Sequence, residues 1–176
     1  MLDVLMRHAV QTFFLKERVN ILNGVAERNL CARLALYIEL EMKRVGLQGY
    51  YADVEYNRKQ NGAVKTIMDD EYQIIRINCD LILHSRGEII QRDNLIAVEM
   101  KKIERPQYEK DSDINRLRAM TKKSYDDIWS FDGETHPEHV CGYEYGYFLE
   151  IDNVNRSYNV ITVVEGEVIN QSNFLF

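Results

Sequence analysis

Apolar residues recur at steps of three and four along the first quarter of the chain, and this spacing predicts two helices. The first spans Leu2 to about Leu22 and ends at the turn dipeptide Asn23-Gly24. The second spans about Val25 to Arg44 and stops at Gly46, because glycine is the usual residue just past a helix end. Glu27 falls on the apolar stripe of the second helix, so its carboxylate is predicted to face the rest of the fold.

After residue 49 the pattern changes to alternating apolar and polar positions, which predicts strands. The predicted strands are Tyr50 to Arg58, Tyr72 to His84, Leu95 to Lys101, Gly142 to Ile151 and Tyr158 to Ile169. A helix capped by Asp111 or Ser112 and running to about Trp129 separates the third strand from the fourth. This order predicts an α/β fold with a central mixed β-sheet of about five strands flanked by helices. We expect one domain over residues 1–176, with residues 1 to about 23 as an N-terminal helical extension.

Three charged residues interrupt the apolar strands without an evident packing reason. Asp80 is predicted to lie within the strand that ends at His84, and Glu99 and Lys101 stand two residues apart at the end of the next strand. Because successive side chains of a strand point to opposite faces, Glu99 and Lys101 share one face. Two carboxylates and an ammonium on one sheet face can hold a divalent metal and its water, as phosphodiester cleavage requires.

This arrangement resembles the PD-(D/E)XK nuclease superfamily, whose fold is called restriction-endonuclease-like. The resemblance rests on the order helix with Glu27, strand, strand with Asp80, strand with Glu99-Met100-Lys101, helix and strand. Within the superfamily the chain is most similar to small stand-alone bacterial members, which carry segments like residues 26–30 and 54–58. Cys79 stands where the motif has proline, and that proline has no chemical task.

The resemblance implies a role for each residue of the motif. Asp80 and Glu99 would bind Mg²⁺, with Mn²⁺ as a substitute, and Lys101 would orient or activate the attacking water. Glu27 would reach the site from its helix, as a further metal ligand or as a residue behind the ligands. The superfamily usually places a basic residue on the helix after this motif, and Arg116 occupies that place, where lysine is more familiar. The implied function is a metal-dependent nuclease that hydrolyses phosphodiester bonds of DNA.

The chemistry of the residues agrees with these roles. Mg²⁺ prefers oxygen ligands and takes only one or two protein carboxylates, so Asp80 and Glu99 suffice. A bound divalent ion lowers the pKa of a ligand water and offsets charge that grows on the phosphate. An unpaired lysine near such an ion would itself lose proton affinity, which suits Lys101 to the activation of water.

Each assignment has an alternative. Asp80 and Lys101 could form no more than an ion pair on the polar face of a sheet, and Glu27 could be a first-turn acid that complements the helix dipole. Glu55 is a weaker candidate for the groove. As a whole, the chain could be a catalytically silent nuclease-fold module that binds nucleic acid or a protein partner.

Cysteine and histidine positions do not suggest structural zinc. His136, His139 and Cys141 lie close in sequence, but their spacing matches no zinc set of four ligands. The three cysteines are widely spaced and odd in number, so reduced thiols are expected.

Composition and charge limit the partners. The formal net charge of −6 provides no global attraction for nucleic acid, but residues 100–125 hold eight basic side chains against four acidic ones. The sequence has no stretch resembling a membrane span or a secretion signal, so a cytoplasmic location without membrane contact is expected. Because no appended DNA-recognition domain is recognised, a homodimer or a partner protein is expected to enlarge the binding footprint.

Overall fold

The structure is a computed structural model that describes residues 1–56, 66–68, 74–76, 79–125, 129–130 and 142–176. Its strands are β1 (Tyr51–Val54), β2 (Thr66–Met68), β3 (Ile74–Arg76), β4 (Leu81–His84), β5 (Asn94–Lys102), β6 (Ser124–Tyr125), β7 (Trp129–Ser130), β8 (Tyr145–Asp152), β9 (Ser157–Val164) and β10 (Glu167–Leu175). Within the described residues, six strands form one mixed sheet in the spatial order β1-β4-β5-β8-β9-β10, and two short ribbons pair β2 with β3 and β6 with β7. The α/β class is confirmed, and the sheet has one strand more than predicted.

Four helices occur in the described residues: α1 (Leu2–Lys16), α2 (Arg18–Leu22), α3 (Glu27–Val45) and α4 (Gln107–Thr121). The prediction of one helix from Leu2 to Leu22 is wrong, because the helix is interrupted at Glu17. The carboxylate of Glu17 is buried and accepts hydrogen bonds from the Tyr37 hydroxyl and from Arg33 Nε on α3. By contrast, α3 ends at Gly46 as predicted, with the glycine at a φ of 73° that side chains disfavour.

The sheet is covered on both faces, and each face has its own apolar core. One face packs against α1 and α3, and we call it the α3 face; its strand residues include Leu81, Val98 and Met100. The other face packs against α4, and we call it the α4 face; its strand residues include Ile82, Ala97 and Phe148. Glu99 and Lys101 alternate with Val98 and Met100 along β5, so they point toward α4.

The connection from β5 to β8 brings α4 close to the sheet. These two strands are parallel neighbours, and a parallel pair needs a crossover connection, which here contains α4. At Gly146 of β8 the helix approaches so closely that an added Cβ would lie 3.2 Å from Leu117 Cβ and 3.2 Å from Thr121 Cγ2. Glycine therefore allows α4 to lie directly over the polar end of β5.

Several predicted boundaries are wrong. The strand predicted from Tyr72 to His84 contains two strands of different sheets, β3 and β4. Asp80 does not lie within a strand, because β4 begins one residue later, at Leu81. The helix predicted from Asp111 or Ser112 to Trp129 begins at Gln107 after Pro106 and ends at Thr121. Pro106 precedes the first helical residue, where its missing N–H costs no hydrogen bond, so a cap at Asp111 or Ser112 is not needed.

The last predicted strand is in fact two strands. β9 and β10 form a hairpin in which Val164 pairs with Glu167, and Glu165 and Gly166 form the turn with φ values of 51° and 82°. Two consecutive residues with positive φ are the mark of a tight hairpin turn. The Glu165-Gly166 pair between the apolar runs is the local signal of this turn.

The zinc alternative at His136, His139 and Cys141 lies outside the described residues. Among the helices of the described segments, none has both the length and the apolar character that a membrane crossing requires.

Candidate active site

The polar end of β5 extends beyond its neighbour β4. The pairing of the two strands stops at Leu81 opposite Val98, whereas β5 continues to Lys102. Two carboxylates take over the hydrogen bonds that β4 would have accepted. Asp80 Oδ2 accepts from Met100 N at 2.8 Å, and Glu27 Oε1 accepts from Lys102 N at 2.9 Å. Asp80 and Glu27 therefore both lie at one edge of β5, where each accepts a backbone hydrogen bond.

Glu99 is the most deeply buried charged side chain of the site, with 0 % of its surface exposed. Its Oε1 accepts a short hydrogen bond from Arg116 Nη1 on α4. Its Oε2 accepts no hydrogen bond from an N–H or hydroxyl group of the described residues, and the Glu99 carboxyl hydrogen-bonds with that of Asp80 when Glu99 carries a proton. Burial raises the pKa of Glu99 well above its ordinary value, and the charges of Asp80 and Asp113 add to this effect against that of Arg116.

Lys101 lies beside Glu99 on the α4 face and is paired. Its Nζ is 2.8 Å from Asp113 Oδ2 and 3.9 Å from Asp80 Oδ2. Burial lowers the pKa of Lys101, but the hydrogen bond with Asp113 and the charge of Asp80 outweigh burial, so the pKa is raised. Lys101 is therefore not an unpaired lysine, and a loss of its proton affinity beside a divalent ion stays a prediction. Lys101 carries a firmly held ammonium group.

Asp80 connects the buried groups to the surface. Its side chain keeps 27 % of its area exposed, against 1 % for Glu99. Burial raises the pKa of Asp80, and the Met100 N–H and the Lys101 charge oppose this rise without cancelling it. Since both carboxyl groups have raised pKa values, a cation that binds beside them would replace protons or favour the ionised form of both.

Sequence reasoning did not find Asp113, and it left the role of Arg116 in doubt. Asp113 is buried on α4, where it contacts both cations of the site: Lys101 at 2.8 Å and Arg116 Nη1 at 3.0 Å. A signal was present in the sequence, because Lys110, Asp113 and Leu117 recur at steps of three and four on the buried stripe of α4. Charged residues on such a stripe indicate charged partners on the facing sheet. Lys110 pairs with Glu150 of β8, and its Nζ is 2.8 Å from Glu150 Oε1.

Glu27 and Glu55 stand apart from this network. The α3 helix that carries Glu27 packs on the opposite face of the sheet from Glu99 and Lys101, so its carboxylate reaches only the strand edge, at Lys102 N. Glu55 forms an ion pair with Arg28 at 3.1 Å. The role of Glu27 as a metal ligand stays a prediction.

Asp80 and Glu99 are the two carboxylates of the site that could bind a metal ion together. Among the described residues, no three histidine, cysteine, aspartate or glutamate side chains are grouped so that they could hold a metal ion by themselves. Asp80 and Glu99 are in mutual contact, because each affects the pKa of the other. Two carboxylates with water and substrate oxygens are a sufficient ligand set for Mg²⁺.

Comparisons with known proteins add no assignment: no family model, no curated protein and no solved structure matches the chain.

Proposed function

We propose that the protein is a metal-dependent nuclease of the PD-(D/E)XK superfamily and hydrolyses phosphodiester bonds of DNA. One observation carries the proposal. Glu99 is fully buried, and in the described part of the chain no N–H or hydroxyl group donates to its Oε2, which leaves that oxygen for a ligand beside the carboxyl of Asp80 and the ammonium of Lys101. An unpartnered carboxylate oxygen inside a protein is costly unless a ligand uses it.

The order of elements supports the proposal. Apart from the two short ribbons, the α-helices and strands from α3 to β8 come in the order α3, β1, β4, β5, α4 and β8. Neighbouring strands of β1, β4 and β5 are antiparallel, and β8 is parallel to β5. This is the order of helix, three strands, helix and strand on which the sequence resemblance rests. The acid, acid and lysine fall at the ends of the second and third of these strands, where β5 extends beyond β4.

The donor set fits a divalent ion such as Mg²⁺ or Mn²⁺. Asp80 and Glu99 would hold the ion through carboxylate oxygens. When bound, the ion would lower the pKa of a ligand water and offset negative charge on the phosphate. Lys101 is held in place by Asp113, so its ammonium can orient the water and attract the phosphate without a change of protonation.

A nuclease assay with matched variants tests this proposal. The full chain is incubated with Mg²⁺ or Mn²⁺ and with linear, circular and single-stranded DNA, and with RNA. We expect metal-dependent cleavage of DNA by the native protein, and a loss of at least a hundredfold in Asp80→Ala, Glu99→Ala and Lys101→Ala, because each removes a group that contacts the ion, the water or the phosphate.

Lys102→Ala is the matched control, because Lys102 is adjacent in sequence and its Nζ donates to Gly24 O instead of facing α4. It should retain cleavage within a fewfold of the native rate. Circular dichroism of every variant establishes that the fold persists. If the native protein cuts no DNA or RNA with either ion, the catalytic proposal is wrong.

A second candidate is a silent nuclease-fold module that binds nucleic acid or a protein. It is favoured by the internal pairing of the site, because Glu99 is held by Arg116 and Lys101 by Asp113. Binding to nucleic acid that weakens steeply with salt, without metal-dependent cleavage, would select this candidate. If the polar cluster is only structural, Mg²⁺ and Mn²⁺ will leave the melting temperature of the native protein unchanged.

A further inference from the structure

Arg116 lies between two carboxylates of the site. Its Nη1 donates to Glu99 Oε1 and also to Asp113 Oδ1, the latter at 3.0 Å. At the same Glu99 carboxylate, no N–H or hydroxyl group of the described residues donates to the other oxygen, Oε2. Glu99 thus gives one oxygen to the Arg116 cation, while its carboxyl group also contacts that of Asp80.

A carboxylate can bridge two metal ions in a similar way. In two-metal phosphodiesterase sites the ions are about 4 Å apart, and such a separation lets one carboxylate give an oxygen to each ion. Here the guanidinium of Arg116 stands at Oε1, in the position of one of those ions. The position beside Oε2 and Asp80 is left for the other.

A purely structural ion pair would differ in geometry. Arginine and a carboxylate pair best through two parallel hydrogen bonds, which satisfy both oxygens. In this site Arg116 uses one nitrogen for two different carboxylates, and no N–H or hydroxyl group of the described residues donates to the other oxygen of Glu99. Without a metal, Glu99 shares a proton with Asp80, and a divalent ion beside both carboxyl groups would replace that proton.

The charges of the cluster fit one divalent ion. When every group is ionised, the cluster has a net charge of −1, because it contains three carboxylates and two cations. The carboxylates are Asp80, Glu99 and Asp113, and the cations are Lys101 and Arg116. The neighbouring pair of Lys110 and Glu150 adds no net charge. One divalent ion and one phosphodiester bring the cluster to neutrality, whereas a second divalent ion would leave two positive charges in a largely buried space, at a high cost of desolvation.

We propose that Arg116 is a built-in cation that takes the place of a second metal ion, so that the site binds a single divalent ion. The inference rests on the proposed function and adds the stoichiometry of the metal to it. Arg116 acts here as a positioning residue: it holds Glu99 so that Oε2 remains directed to the ion.

Counting of bound Mn²⁺ tests the proposal without reference to activity. The full chain is freed of metal with a chelator and titrated with Mn²⁺, and bound ions are counted by calorimetry and by electron paramagnetic resonance of the free ion. We expect one ion per native chain and none in Glu99→Gln, which shows that the ion lies at this site. In Arg116→Gln we expect two ions, because the place between Glu99 and Asp113 is then free of positive charge.

Two further variants separate charge from structure. Arg116→Lys keeps a cation on α4 and should return the count to one. Arg118→Gln is the matched control, since Arg118 lies on the same helix but donates to Gly166 O and pairs with Glu167, and it should also bind one ion. Near-ultraviolet circular dichroism checks the fold of each variant.

The outcomes distinguish this inference from the proposed function. No bound ion in the native protein overturns the proposed function, and the inference with it. Two ions in the native protein overturn the inference alone, and so does a single ion in folded Arg116→Gln. A native count of two overturns the inference even if Arg116→Gln fails to fold.

Discussion

Buried charges in this protein occur in groups in which each member contacts an opposite charge. Asp113 contacts Lys101 and Arg116, and Arg116 contacts Glu99. Removal of one member leaves its partner charged and unpaired in the interior, which typically costs about 3–5 kcal/mol for a fully buried pair. Substitutions that keep shape and hydrogen bonding, such as amides for carboxylates, are therefore the safer probes of this site.

Asp113→Asn should lower the pKa of Lys101. In the native structure the hydrogen bond with Asp113 is the largest of the effects that raise the pKa of Lys101, and burial acts in the opposite direction. Without the Asp113 charge, burial will have more weight. Nitrogen-detected NMR of the Lys101 ammonium over a pH series measures the change. Asp111→Asn is the control, because Asp111 is exposed on the same helix and pairs with Gln107. An unchanged Lys101 pKa would show that Asp113 does not hold the ammonium.

Glu17 should make stability depend on pH in the acid range. Burial raises its pKa, but the hydrogen bonds from Tyr37, Arg33 and Asn20 outweigh burial, so the folded pKa lies below the ordinary 4.5. The folded state therefore binds this proton less tightly than the unfolded chain does. The stabilisation is complete above pH 4.5 and is lost as the pH falls through the folded pKa.

Glu17→Gln should lower the free energy of unfolding at pH 7 by about 1–3 kcal/mol and flatten its decline below pH 4.5. Urea unfolding at several pH values measures both effects. Glu104→Gln, an exposed carboxylate, should change neither. An equally steep acid decline in Glu17→Gln would assign the pH dependence to other groups.

At the scale of elements, the contact of α4 with β8 controls the geometry of the site. Gly146 allows α4 to approach, and α4 carries Asp113 and Arg116 over β5. A Cβ at this position would meet Leu117 and Thr121 at 3.2 Å, closer than ordinary packing. Gly146→Ala should therefore cost about 1–2 kcal/mol of stability by overpacking.

Denaturant unfolding measures the loss in Gly146→Ala. The double variant with Thr121→Ser should regain part of it, because serine lacks the Cγ2 methyl yet keeps the Oγ that accepts from Gly166 N. If the glycine variant is as stable as the native protein, α4 does not depend on this close approach.

The unequal lengths of β4 and β5 explain why the acids gather where they do. A strand that continues beyond its neighbour exposes backbone N–H groups, and these need acceptors. Asp80 and Glu27 supply those acceptors at Met100 and Lys102. A structural requirement and the proposed metal site thus share the same residue, Asp80.

On the scale of the whole molecule, the two ends of the chain meet in an aromatic cluster. Phe14 of α1 stacks on Tyr158 of β9 with ring centroids 3.6 Å apart, and the ring of Phe176 lies 5.1 Å from Phe14. The predicted N-terminal extension therefore packs in the same core as the sheet. Its removal would expose that core.

Phe14→Ala should lower the free energy of unfolding by about 3–5 kcal/mol, because it leaves a cavity between α1 and the sheet. Thermal and urea denaturation measure the loss. Leu15→Ala is the matched control, because Leu15 is next to Phe14 in sequence and is 74 % exposed. This substitution should change the free energy of unfolding little. A loss below 1 kcal/mol in Phe14→Ala would mean that α1 contributes little to the common core.

Local patterns allowed much of this protein to be predicted. The steps of three and four located α3 and its glycine end, and the alternation located β5 and placed Glu99 and Lys101 on one face, because both periodicities arise from backbone geometry within a few residues. The break at Glu17 was not predictable in this way. It is accompanied by hydrogen bonds to Tyr37 and Arg33, which are distant in sequence.

The sequence by itself determined the α/β class of the fold, the order of the two acids and the lysine in the motif, and the single strand that carries Glu99 and Lys101. Only the tertiary structure decided that β4 starts after Asp80, that Glu27 reaches the edge of β5 and not its α4 face, and that Asp113 and Arg116 pair with Lys101 and Glu99. The physical reason is that these features depend on where one element ends against another and on which charges burial brings together, and neither is encoded in a local period.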